Sequence, residues 1–133
     1  MRLLDGVLHW DEKSIVCSAM SHRDRANPLR DRGYLSNVHG LEYAAQAMAV
    51  HGSLLIDSGD DDKANLALVY VAAFRNVDIA SGALDDAAGA ALTVRAEQHA
   101  SVPGGWSYDF LVESDNQLVV RGRATVVAPG ASA

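Results

Sequence analysis

The sequence is short of the residues that announce many function classes. It holds one cysteine, Cys17, so no internal disulfide can form. With no basic neighbour in sequence to favour a thiolate, Cys17 reads as a small core side chain rather than a nucleophile. Cations are scarce, with 11 Lys and Arg against 17 Asp and Glu and a formal net charge of −6. Binding a phosphate backbone needs clustered cations, so no nucleic-acid partner is expected. No apolar run reaches bilayer length, because Glu42, Gln46 and His51 interrupt the most apolar stretch. The N-terminus moves straight into "LLDGVLHWDE" without a secretory signal, so the cytoplasm is the expected compartment. No His, Cys, Asp or Glu set has the spacing of a zinc site. "DSGDDDK" lacks the alternating ligands, turn glycine and closing Glu of a calcium loop, and reads as a solvated acidic loop. No metal or cofactor is expected.

What is present suits one compact domain over residues 1–133, with 49% apolar residues. "RLLDGVLHW" and "SIVCSAM" read as two strands joined by a polar turn at Asp11 to Lys13. Residues 21 to 36 lose all periodicity and read as a loop around Pro28 and Gly33. That loop contains "HRDRANPLRDRG", the one local concentration of arginine. It is either a solvated loop or a landing site for an anionic partner. "ANLALVYVAAFRNVDIA", "ALTVRAEQHA", "WSYDFLVES" and "QLVVRGRATVV" then give about four strands, with a hairpin turn at "DN". The "APGASA" tail is expected to fray.

Between the two strand groups lies "NVHGLEYAAQAMAVHGSLL", residues 37 to 55. Its alanines favour a helix, with Ser36 or Asn37 as N-cap. The segment is apolar on nearly every side, so other elements should wrap it. Yet it carries Glu42 in its first turn, where desolvation favours the protonated acid and the helix dipole the carboxylate. His39, three residues earlier, is a neighbour on a helical surface. Gly40 would let a substrate approach the helix start, where backbone N–H groups favour developing negative charge. His51, far along the axis, reads as a packing residue. Tyr43 and Trp106 read as core or interface residues before acyl-pocket walls. One helix amid antiparallel strands gives an α+β architecture, a sheet curled round a central helix in the manner of a hot-dog fold.

"GLEYAAQAMAVHG" resembles the central-helix motif of the 3-hydroxyacyl-acyl-carrier-protein dehydratases, in which an acidic residue stands four positions before a Gln. Glu42 and Gln46 have that spacing. "NPLR", the helix motif and the late "GRATVV" are most similar to the dehydratase-like subgroup linked to aryl polyene and related lipid pathways. The His-Phe-Pro pattern of catalytic members is absent. His22, in the comparable loop before Asn27 and Pro28, and His39 are the candidate counterparts of its histidine.

The resemblance implies dehydration of a 3-hydroxyacyl thioester to the trans-2-enoyl thioester. Glu42 would be the acid and His22 or His39 the base, with Gly40, Tyr43 and Gln46 lining the substrate. The implied partner is an acyl carrier protein bearing a phosphopantetheine-linked chain, and the implied state a dimer or higher homo- or hetero-oligomer. Two other readings share the fold: a non-catalytic acyl-binding subunit that relies on a sister chain for its histidine, and an acyl thioesterase.

Overall fold

The computed structural model describes residues 2–59, 70–86 and 90–127. Strands β1 (Gly6–Trp10) and β2 (Ser14–Ala19) form a hairpin. Its turn is held by Asp11, whose Oδ1 accepts the N–H groups of Lys13 and Ser14 at 2.9 and 2.8 Å. A 3-10 turn, Ser21–Arg23, opens the long loop, and a second, Asn37–His39, runs directly into helix α1 (Gly40–Gly59). Four strands follow: β3 (Tyr70–Ile79), β4 (Leu92–Val102), β5 (Gly105–Ser114) and β6 (Gln117–Val127). They make one antiparallel sheet in the order β1-β2-β4-β5-β6-β3. The architecture is α+β, one sheet with one central helix: a hot-dog fold.

Alternation along the strands explains how the sheet takes the helix. In β4, Leu92, Val94 and Ala96 are buried while Arg95 and Glu97 are exposed. In β5, Tyr108, Phe110 and Val112 are buried and Asp109 is exposed. Period-2 side chains thus give the sheet an apolar inner face and a charged outer one. The outer face carries cross-strand pairs such as Arg123 with Asp109 at 3.0 Å and Arg121 with Asp78 at 3.2 Å. The "DN" turn is a tight hairpin, with Asp115 and Asn116 both left-handed at φ 52° and 61°. Two successive left-handed residues match the right-handed twist of the strands they join.

The helix differs from expectation in three respects. It begins at Gly40 rather than residue 37, because Asn37–His39 form the tighter 3-10 turn, capped by Ser36, whose Oγ accepts the Val38 N–H at 3.2 Å. Nor is it wrapped on every side. Tyr43, Ala44, Ala47, Met48 and His51 are fully buried against the sheet, at spacings of three and four. Leu41 and Val50 pack against the edge of that core, Ala45 and Ala49 on the other face are only half-buried, and Glu42 is exposed. A single curled sheet covers one side of a cylinder. At its far end α1 runs on to Gly59, so residues 57–59, expected to open the acidic loop, form its last turn. The rest of that loop and the start of the third strand segment, residues 60–69, and the "APGASA" tail lie outside the described residues.

Candidate functional site

The N-terminal turns of α1 gather most of the residues that the sequence singles out. Glu42 projects from the first turn on the open face, and His39, half-buried, lies three residues earlier on the same helical run. Around them lie half-buried Ala45 and Gln46 on the helix and Val38, 41% exposed, in the 3-10 turn. The expected buried carboxylate is thus corrected. In this chain Glu42 meets solvent, because the sheet packs on the opposite helix face.

Gly40 has a packing reason rather than a substrate-facing one. A Cβ there would lie 2.7 Å from Val120 Cγ1 and 3.2 Å from Val119 Cγ1, so its close approach is to β6. The amides near it are also taken. The Asn37 N–H donates to Gly82 O and that of His39 to Ser36 O. The Val38 N–H donates to Ser36 Oγ, and the Gly40 N–H to Asn37 O and Val38 O. The 3-10 turn supplies the partners a bare helix start would lack, so the expected thioester-polarising amides are absent there.

Tyr43 is likewise no substrate wall. Its ring is fully buried. Its hydroxyl accepts from Asn27 Nδ2 at 3.1 Å and donates to Ser21 Oγ at 2.8 Å, while Ser21 donates to Leu3 O. Asn27 and Ser21 thereby tie loop, N-terminal segment and helix together. Gln46 serves the same junction: it is half-buried, and its Oε1 accepts the Leu3 N–H at 2.9 Å.

His22 is fully buried, apart from the open helix face. Its Nε2–H donates to Ala90 O at 2.9 Å, which ties the loop to the start of β4. Its Nδ1 has no partner among the described residues. Burial holds its pKa below the usual 6.5, so the ring is neutral at pH 7. Arg30 pins the same loop, donating to the carbonyls of His22, Asp24 and Gly33 and to Asp85 Oδ2 at 3.0 Å. One of the four loop arginines is therefore structural, while Arg23, Arg25 and Arg32 are exposed.

His51 is the packing residue its position suggests. Its Nδ1 accepts from the Tyr108 hydroxyl at 2.6 Å and its Nε2–H donates to Asp11 O at 2.7 Å. Burial pushes the Tyr108 hydroxyl up to about 12 and the Cys17 thiol up to about 11. Cys17 is an inert core thiol, as expected. Among the described residues no three His, Cys, Asp or Glu side chains converge on a metal position, and no helix is long and apolar enough to cross a membrane.

Several solved structures share this architecture. A chain of the ApeI:P dehydratase heterocomplex from Xenorhabdus doucetiae superposes with a TM-score of 0.74 at 19% identity, covering 96% of this chain and 83% of that one. A thioesterase from Staphylococcus aureus gives 0.65 at 18% identity, over 92% and 90% of the two chains. The PaaI protein of the E. coli phenylacetic acid degradation operon gives 0.60 at 18%, over 91% and 80%. At such identities these likenesses speak for the hot-dog fold alone. No curated protein matches the sequence. The family model for ApeP-like proteins, described as ApeP dehydratase, matches residues 1–133 from end to end. The chain belongs to the ApeP-like dehydratase family.

Proposed function

We propose that this chain dehydrates 3-hydroxyacyl thioesters carried on the phosphopantetheine arm of an acyl carrier protein, in an assembly that covers the open face of α1. One observation carries the reading: in a chain that the dehydratase family model matches from end to end, Glu42 stands exposed in the first turn of α1, with His39 and Gln46 half-buried beside it. An acid in that position becomes useful when a second hot-dog chain closes over it and excludes water. The edge strand β3 offers a place for such a chain, with Phe74 and Ile79 exposed at 36% and 44%.

In the proposed reaction a base takes a proton from C2, the C3–O bond breaks, and protonated Glu42 gives its proton to the departing hydroxide, releasing water and leaving the trans-2-enoyl thioester. His39 fits the base better than His22. It shares a helical run with Glu42 and is half-buried, whereas His22 is sealed in the loop with one nitrogen already on Ala90 O. Gln46, on the same open face, would border the acyl chain. Incubation of the purified protein with a 3-hydroxyacyl carrier thioester tests this. The enoyl product should form and be lost in Glu42→Gln; its absence from wild type, alone and with a sister chain, rejects the reading.

A second reading has its own observation: the His-Phe-Pro pattern is missing. A sister hot-dog chain would then supply the base, and product would form only from the mixture. Release of free carrier thiol in place of enoyl product would mark a thioesterase instead.

A further inference from the structure

A cavity of about 130 Å³ lies where the 3-10 turn before α1 meets the β5–β6 hairpin and the segment that follows β3. Asn37, Asp86 and Ser114 belong to its polar wall and Leu84 and Val119 to its apolar one, and among the described residues no Lys, Arg or His lines it. Asn37 Oδ1 and Ser114 Oγ are buried with no partner among the described residues, and each residue is only 5% exposed. The donors of Asn37 are already committed. Its N–H goes to Gly82 O and its Nδ2 to Ala80 O, each at 2.9 Å, which leaves Oδ1 for the cavity. Asp86 stands alongside, at the exposed mouth. A Cβ on Gly82, held at φ +119°, would meet Asp86 Oδ2 at 2.6 Å and Asn37 Nδ2 at 3.6 Å, so the two side chains flank one glycine. Asp86 Oδ2 also accepts the Ala83 N–H at 2.9 Å, which fixes the carboxylate in place.

The walls therefore offer lone pairs: an amide oxygen, a hydroxyl oxygen and a carboxylate. Buried acceptors without partners are costly, so the cavity calls for an occupant that brings positive charge. A divalent ion suits it poorly. Calcium is held by several carboxylates and magnesium demands a near-ideal octahedron, whereas Asp86 is the single carboxylate here and Leu84 and Val119 are apolar. A monovalent cation suits it well. One charge matches one carboxylate, so no surplus charge is left in a half-apolar pocket. Potassium also accepts neutral oxygens in place of its hydration shell, as Asn37 and Ser114 provide. Such a site has too few acidic or imidazole ligands to resemble a transition-metal or calcium centre.

We propose that this cavity binds a monovalent cation, potassium or one of its size, between Asn37 Oδ1, Ser114 Oγ and the Asp86 carboxylate. The ion fastens the turn that enters α1 to the β5–β6 hairpin and to the segment after β3, three stretches far apart in sequence. The proposal stands apart from the dehydration reading, because its test reads folding. Wild-type protein is melted in potassium chloride and in tetraethylammonium chloride at equal ionic strength. Tetraethylammonium has the same charge but buries it inside four ethyl groups. Potassium should raise the melting temperature by about 3–5 °C. The gain should fall below about 1 °C in Ser114→Ala and in Asp86→Asn, which keeps an oxygen to accept from Ala83. No gain in wild type, or an undiminished gain in either variant, overturns the site. A second readout needs no variant. Wild-type crystals grown in rubidium chloride should show an anomalous peak beside Asn37 Oδ1 and Ser114 Oγ, and water alone at that position overturns the site.

Discussion

The two faces of α1 divide the work of the molecule. The inner face, Tyr43, Ala44, Ala47, Met48 and His51, is sealed against the sheet, and its polar tips are all answered from within the chain. The outer face, Glu42, Ala45, Gln46 and Ala49, is half-open, with a carboxylate that is exposed among the described residues. The same alanine-rich composition serves both. Small residues let β6 come within contact of Gly40 on one side and leave a smooth apolar surface on the other. Stability should therefore be concentrated on one side of the cylinder and chemistry on the other.

The comparison breaks most sharply at Glu42. Glu42→Gln should lower the rate of enoyl formation by about 10²–10⁴-fold, yet shift unfolding free energy by less than about 0.5 kcal/mol; single-turnover kinetics and a denaturant melt on the same sample check both. Met48→Ala should do the opposite, costing about 2–5 kcal/mol by leaving a void under the sheet. If the melt were unmoved, the inner face would not be the core described here.

The next effect is a pH dependence. His22 and His51 are both buried and both have pKa values held below 6.5 by desolvation. The unfolded chain therefore takes up protons first as pH falls. The stability they contribute is full above about pH 6.5 and is lost as pH drops below that toward the lower folded values. Denaturant melts between about pH 5 and 8 should show this slope, and His22→Asn and His51→Asn should each flatten it. Smallest is Gln46→Leu, which strands the Leu3 N–H at a cost of about 1 kcal/mol; an unchanged melting temperature would remove Gln46 from the junction with the N-terminal segment.

Much of the fold was legible because strong local signals agree with the final packing. The Asp11 turn, the "DN" hairpin and the alternation in β4 and β5 are each written within a few adjacent residues. Cys17 and His51 were also readable, since an apolar neighbourhood and a position far down the helix predict burial. What the chain could not announce were long-range partners. The 3-10 turn that answers the amides near Gly40 depends on Gly82, more than forty residues away in sequence. Tyr43 is locked by Asn27 and Ser21, and the pairing of Asn37 with Ser114 around one cavity joins residues that no periodicity relates. The buried setting expected for Glu42 was wrong, because hydropathy counts apolar faces without saying which of them the sheet will reach.

The arginine clamp has a consequence for handling the protein. The segment from Arg23 to Arg32 presents several bonds that trypsin prefers, on the molecular surface and outside any strand. Arg30 nevertheless gathers three carbonyls and a carboxylate around one guanidinium, and a protease must bend its substrate into an extended strand before it cuts. Limited digestion should leave this stretch whole until Arg30→Ala releases it, turning a rich set of cleavage points from silent to exposed.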